Sequence, residues 1–445
     1  MFKSIRADPC RFLEALTDIR QWKRTIREWK KRGMASVLDE LSVKDVLDPG
    51  DDLFSSVVVT PANPPHLTGI LVIDACIPRY DRDAGARSSF LYLQLLREMG
   101  HEVYFMPNDQ LLREPYATAL EHSGIRLLIG YGCGRWVKWL ATQGIRIQHV
   151  ILHRPNIARR YLKQLQKLPW LNLLYFAHDL RHIREMRHYQ LTGDTFHKKE
   201  AAYWLNQEKK LLTLVNHACF FSAQETALVR DWQLACTSHT IPLYPVDIAN
   251  EASPPFERRN GLLFVGSFTH QPNRDAVLWF AREVFPLVRR ALPDITWSIV
   301  GRSPPKEIAD LTENGIIVLN DVSDDQLAEL YQSTKLVVAP LRFGAGVKGK
   351  VVEAVCNGIP VVTTRIGAEG MANIEGCVET ADSAVEMSEK ILSLYCNPTR
   401  WEMLRERALQ YARENFSRQA AMDCLAAGLR EVKSANCRPR SVAEQ

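Results

Sequence analysis

From about residue 67 the chain alternates short apolar, often β-branched runs with longer amphipathic stretches, the pattern of parallel strands covered by helices. Strand-like runs cover Gly69 to Ala75, Glu102 to Met106, Arg126 to Gly130, His149 to Leu152, Leu171 to Ala177 and Cys219 to Ser222. A second series follows at Gly261 to Val265, Ile295 to Val300, Ile316 to Leu319, Lys335 to Ala339, Pro360 to Thr363 and Cys377 to Glu379. Two series predict an α/β protein of two doubly wound, Rossmann-like domains, 67–245 and 246–415, with a ligand cleft at the carboxyl ends of their strands. The polar, proline-containing stretch Val246 to Pro255 is the expected linker, and 416–445 the expected C-terminal helix and tail.

The first 66 residues follow another pattern. Phe12, Leu16, Ile19, Trp22, Ile26 and Trp29 recur at helical spacing among Arg20, Lys23, Arg24, Arg27, Lys30 and Lys31. A basic amphipathic helix of this kind over residues 12–33 suits an anionic membrane surface, or packs against protein.

Composition narrows the picture little. A net charge of +5 over 445 residues is too diffuse to make nucleic acid the expected partner. The ten cysteines include no Cys-x-x-Cys pair, which speaks against a zinc finger or a disulfide framework. The opening residues lack the apolar core of a signal peptide, so a cytoplasmic location is expected, with peripheral contact at the inner face of the plasma membrane through the basic helix.

The chemistry concentrates between Leu341 and Thr364. After the apolar run ending at Pro340, Gly344 and Gly346 allow a tight turn around Ala345. A helix predicted to begin at Val347 points its positive end at the turn, and Lys348 adds a full charge there. That is a seat for a diphosphate. Glu353, about a turn and a half further, is placed to accept bonds from sugar hydroxyls, so the pair suggests a nucleotide.

Further candidates follow other strands. Gly266 ends one, with Ser267, His270 and Asn273 as donors beyond it; Asn273 also has the character of a cap for a helix beginning at Arg274. His178 and Asp179 stand at the end of the run Leu171 to Ala177, His178 either touching a bound sugar or serving the fold, and His153-Arg154-Pro155 is a similar, weaker feature. Asp81-Arg82-Asp83 has the spacing to hold a metal on phosphates, or to neutralise itself within a loop. Gly130 to Gly134 is glycine-rich, but its spacing is wrong for a dinucleotide fingerprint, and Walker and Gly-x-Ser-x-Gly sequences are missing.

From about Gly69 to Arg418 the chain resembles the family 4 retaining glycosyltransferases of GT-B fold, particularly bacterial enzymes of surface-polysaccharide assembly. The likeness rests on Phe264 to Asp275, Val338 to Lys350 with Glu353-Ala354, and Gly367 to Met371, with weaker matches at Asp81 to Gly85 and Asp179 to Glu185. The resemblance implies a nucleotide-sugar donor on the second domain, a glycan or lipid-linked acceptor on the first, and transfer with retention and no required metal or other cofactor. It gives Gly344, Ala345, Gly346, Val347 and Lys348 to the diphosphate, Glu353 to the ribose, and Asp321 and Val322 to the border of the base. By the same resemblance His178 would stand beside the donor sugar and Gly85 in the loop meeting phosphate and acceptor, so His178, Lys348 and Glu353 are the expected catalytic set. Two departures are visible: Ala345 stands where the family has the first of two glutamates, and the usual basic pair after the Gly266 turn is replaced by Ser267, His270 and Asn273. A UDP-sugar epimerase of the same fold and a non-catalytic interaction subunit are the alternatives.

Overall fold

The computed structural model describes residues 69–131, 136–137, 139–140, 147–246, 248 and 254–435. The basic helix expected over 12–33, most of the glycine-rich segment after Gly130 and much of the expected linker lie outside them.

Two all-parallel sheets organise the unit Leu67–Gln445. The first has seven strands in the order β3-β2-β1-β4-β5-β6-β7. In chain order these are Gly69–Asp74, Glu102–Pro107, Arg126–Leu127, Ile147–His153, Asn172–Ala177, His217–Phe220 and Thr237–Thr240. The second has six, β10-β9-β8-β11-β12-β13, formed by Asn260–Val265, Trp297–Val300, Ile316–Leu319, Thr334–Ala339, Val361–Thr363 and Val378–Thr380 as β8 to β13. Both orders reverse direction beside their first strand, so each sheet has one switch point, between β1 and β4 and between β8 and β11. The expected pair of doubly wound domains is present.

The central strands read as unbroken apolar runs because helices cover both faces. Ile70 to Ile73, Leu262 to Phe264 and Leu336 to Ala339 are all essentially inaccessible. Strand β7, Thr-Ser-His-Thr, is an edge strand that the apolar pattern misses, and β3 is shorter than the predicted run Arg126 to Gly130.

The helices that shape the cleft are α1 (Ala84–Glu98), α2 (Pro155–Leu165), α3 (Arg181–Thr192), α4 (Thr195–Leu212), α5 (Ala223–Asp231), α6 (Gln271–Trp279), α7 (Asp324–Ser333) and α8 (Gly349–Cys356). Two more, α9 (Pro398–Asn415) and α10 (Arg418–Ala435), end the described chain. The backbone leaves the first domain near Val246 and returns after α9, and the two crossings touch: the Val246 amide donates to the Phe416 carbonyl at 2.9 Å, with a bridge to Ser417. Arg418 then pairs with Glu98 of α1, Nε to Oε2 at 3.0 Å, fixing α10 to the first domain. A continuous apolar cluster including Tyr92, Leu243, Tyr244, Phe416, Ala421 and Leu425 surrounds this junction.

Candidate functional site

Both switch points open on the same place. In the second domain β11 runs into Leu341-Arg342-Phe343 and then the glycine turn, where Gly344 has φ 147° and Gly346 φ 69°, backbone states that side chains resist. A Cβ built on Gly346 would lie 3.1 Å from the His178 carbonyl oxygen, so the turn sits directly against the end of β5. Helix α8 begins at Gly349, with Lys348 as its N-cap residue, rather than at Val347 as the sequence suggested. Lys348 itself is still extended, at φ −95° and ψ 108°, so the helix starts two residues later.

The first domain supplies α1, whose Asp83 caps it by accepting from the Ala86 amide at 2.9 Å. A Cβ on Gly349 would meet that of Ala84 at 3.0 Å, so the positive ends of α1 and α8 face one another. Gly85 leaves room for two side chains, since a Cβ there would stand 3.1 Å from His178 Nδ1 and 3.2 Å from Arg154 Nη2. Arg154 holds φ 63° just before Pro155, a costly conformation for a side-chain-bearing residue at the first switch point.

Behind these groups lies a buried polar chain. Asp74, the last residue of β1, accepts from Arg154 Nε and Ser89 Oγ, both at 2.9 Å. His153 Nδ1 is 3.3 Å from Ser89 Oγ and 3.1 Å from His178 Nε2. Burial by itself would raise the Asp74 carboxyl, yet Arg154, His153 and His178 together hold it well below the carboxylate range. Burial pushes His153 down to about 4, and burial with Arg154 and His153 lowers His178 well below its usual value. His178 is therefore a neutral imidazole at pH 7, suited to hydrogen bonding with a hydroxyl rather than to carrying charge.

Two lysines face this from α8. Burial brings Lys348 down to about 8 despite the nearby Glu369 and Glu225, and Lys350 to about 8 despite Glu353. Lys348 Nζ donates to the Gly346 carbonyl and is 3.9 Å from Glu369. Lys350 donates at 3.0 Å to Asn273, whose amide nitrogen donates at 2.8 Å to the Ser267 carbonyl. Asn273 is thus inside α6, which starts at Gln271, and is not the cap of a helix at Arg274: its side chain is used to tie the turn after Gly266 to Lys350. His270 takes the N-cap position of α6 with its side chain exposed, and Ser267 Oγ bonds Thr269 Oγ1 at 2.8 Å.

Glu353 accepts from Tyr331 Oη at 2.9 Å and faces Arg87 of α1 at 3.4 Å. Asp321 and Val322 follow β10, three strand spacings from β11, or about 14 Å across the sheet, so they stand apart from the glycine turn. Asp321 is 3.6 Å from Arg302, which also donates to Asp81 at 3.2 Å. Asp81 further accepts from Tyr116 Oη at 2.7 Å, and Asp83 is spent as a cap. Both carboxylates of the Asp-x-Asp segment thus have partners within the protein.

Arg187 of α3, which the sequence did not single out, donates to the Gly344 carbonyl at 2.7 Å and forks onto Glu369 at 2.5 Å. Glu225 is also new: its Oε1 accepts from the Leu180 amide at 3.1 Å, and burial with Asp179 raises it to about 8. Asp74 and Lys350 complete the set, and Arg154 comes from His153-Arg154-Pro155, the weaker candidate of the sequence. The only sequence signals for them were position at strand ends and, for Lys350, the Lys-Gly-Lys repeat. The structure brings Gly85, His178, Gly344, Gly346 and Lys348 together, with Gly266, Ser267 and Asn273 joined through Lys350. Phosphate oxygens placed here would meet two helix N-termini and several cations.

Comparison with known proteins bears on the fold and on the second domain. A Klebsiella pneumoniae protein described as an uncharacterized 44.6 kDa protein in the cps region is 28% identical over 163 residues, 35% of this chain and 42% of that protein. Sucrose-phosphate synthase from Thermosynechococcus elongatus superposes with a TM-score of 0.62 at 16% identity, covering 83% of this chain and 100% of the other. Anabaena HepE, solved with UDP and glucose, gives 0.59 at 14% identity over 82% and 99%. These likenesses establish the GT-B fold. Residues 259–397, which contain the glycine turn, α8 and Glu369, match the family model described as Glycosyl transferases group 1.

Proposed function

We propose that the protein transfers a sugar from a nucleotide-sugar donor to a glycan or lipid-linked acceptor, with retention of configuration. The observation that carries this reading is the meeting of the glycine turn and Lys348 with Gly85, Arg154 and His178 across the cleft, within a GT-B fold whose second domain matches the group 1 family. The Klebsiella relative in a cps region supports a surface-polysaccharide role, and HepE, solved with UDP-glucose, supports a nucleotide-sugar donor.

In this reading the diphosphate lies on the turn, held by backbone amides and by Lys348 and Lys350, with Arg154 facing it from the first domain. Charge develops on the leaving phosphate as the glycosidic bond breaks, and these fixed cations lower the barrier. His178 orients the donor sugar through a hydroxyl. The acceptor oxygen attacks the face the diphosphate leaves, and its proton passes to that departing phosphate. The carboxylates around the turn are engaged, Glu369 by Arg187, Asp179 by Arg184 at 2.5 Å, and Glu353 by Tyr331 and Arg87, so none is assigned as a nucleophile. This differs from the paired carboxylates of retaining hydrolases.

The test is a thermal-shift screen over nucleotide sugars, then incubation of the stabilising donor with candidate acceptors and NMR of the new linkage. Retention in the product supports the proposal. Inversion removes it, and conversion of the donor to its epimer without acceptor puts an epimerase in its place.

A further inference from the structure

A second cluster lies on the hairpin formed by α3 and α4. Glu185 and His188 are three residues apart on α3 and share a face, while His197 stands in the first turn of α4. One side-chain ligand atom of each lies within 4.8 Å of the other two. His197 Nδ1 is 2.7 Å from Glu185 Oε2, the His188 and His197 ring centres are 3.8 Å apart, and Glu185 is buried. Two imidazoles and one carboxylate match a zinc site with three protein ligands and a fourth position for water. Magnesium and calcium prefer oxygen donors and are poorly served by this set. Tetrahedral bonds of about 2.0–2.1 Å hold ligand atoms about 3.4 Å apart, within the 4.8 Å that spans these three.

We propose that Glu185, His188 and His197 bind one divalent transition-metal ion of the zinc class, which joins α3 to α4. The ion touches no phosphate. It acts on the neighbouring turn through His188, whose ring stacks on Phe343 with centres 4.6 Å apart and planes at 15°. Phe343 directly precedes Gly344, and Arg187, the neighbour of His188, holds the Gly344 carbonyl. Metal binding thus fixes a helix hairpin of the first domain and the glycine turn of the second together. This inference does not depend on sugar transfer.

The experiment uses the full chain, stripped by chelator and titrated with Co²⁺ and then Zn²⁺ in phosphate-free buffer. The expected result is one Co²⁺ per chain with intense tetrahedral visible bands, displaced by Zn²⁺, and a melting temperature raised by Zn²⁺. Because the chain has ten cysteines, a thiolate charge-transfer band would assign the metal elsewhere and overturn the proposal. No stoichiometric binding, or only weak octahedral bands, would overturn it as well. Glu185→Gln and His197→Gln should each weaken Zn²⁺ by at least about 100-fold, beyond the 10–100-fold seen when a residue behind a ligand is lost. Unchanged affinity in either folded variant refutes the site. Should a variant fail to fold, the wild-type Co²⁺ spectrum decides.

Discussion

Replacing Lys348 with alanine removes a buried ammonium that bonds only a backbone carbonyl and lies 3.9 Å from Glu369. Glu369 keeps its two bonds from Arg187, so the fold should tolerate the change. With its acidity near 8, Lys348 is about nine-tenths charged at pH 7, and a phosphate beside it raises that fraction. The lost charge-assisted contact should cost about 1.5–3 kcal/mol of nucleoside-diphosphate binding, or roughly 10- to 150-fold in Kd. Turnover should fall with affinity, because charge on the leaving phosphate grows toward the transition state. Glu353→Gln is the contrast. It weakens acceptance from ribose and the contact with Arg87, so nucleoside monophosphate and diphosphate should lose affinity alike. Calorimetry of both nucleotides on both variants is the assay. Undiminished diphosphate affinity in Lys348→Ala, or normal binding of both nucleotides by Glu353→Gln, refutes the placement of phosphate at Gly344 to Lys348 and ribose at Glu353.

Diphosphate affinity of the wild type should decline as pH rises through about 8, where Lys348 and Lys350 lose their protons, and binding near that pH should take protons up; calorimetry in buffers of differing ionisation enthalpy reads both. Asp74→Asn should destabilise the chain by about 1–3 kcal/mol at pH 7 in urea unfolding. Since the Asp74 pKa is lowered on folding, that difference should be full above the unfolded value and shrink as pH falls below about 4; a difference that grows in acid would refute the ion pair. Turnover should not require Mg²⁺ or Mn²⁺, because Asp81 and Asp83 are already engaged by Arg302, Tyr116 and the α1 amide; a strict Mg²⁺ requirement in rate assays would reopen that loop as a metal site. Deleting residues 1–33 should abolish binding to anionic liposomes in a flotation assay, and unchanged binding would leave the basic helix to a protein partner.

Much of the fold was legible because the central strands are buried on both faces and so must be continuous apolar runs. Strand β7 escaped that rule as a polar edge. The glycine turn was legible for a local reason: Gly344 and Gly346 need backbone states that few other residues take. What stayed hidden depends on partners remote in sequence. Arg187 meets Glu369 across 182 positions and Arg154 meets Asp74 across 80, and nothing near an arginine in sequence announces such a partner. The alternative of Asn273 as a cap rested on residue type alone, whereas its side chain bonds Lys350, 77 residues away.

The two chain crossings at Val246 and Phe416–Ser417 lie side by side, and this adjacency defines an axle. A rotation about such an axle would displace least what lies beside it, and the apolar cluster around Tyr244 and Phe416 is there. Polar contacts also join the two domains, Arg187 with Glu369 and Gly344, Arg87 with Glu353 and Arg302 with Asp81, and water can replace such contacts. Separating polar contacts of this kind trades them for bonds to water, so a hinge opening at this axle would cost little compared with unfolding either sheet.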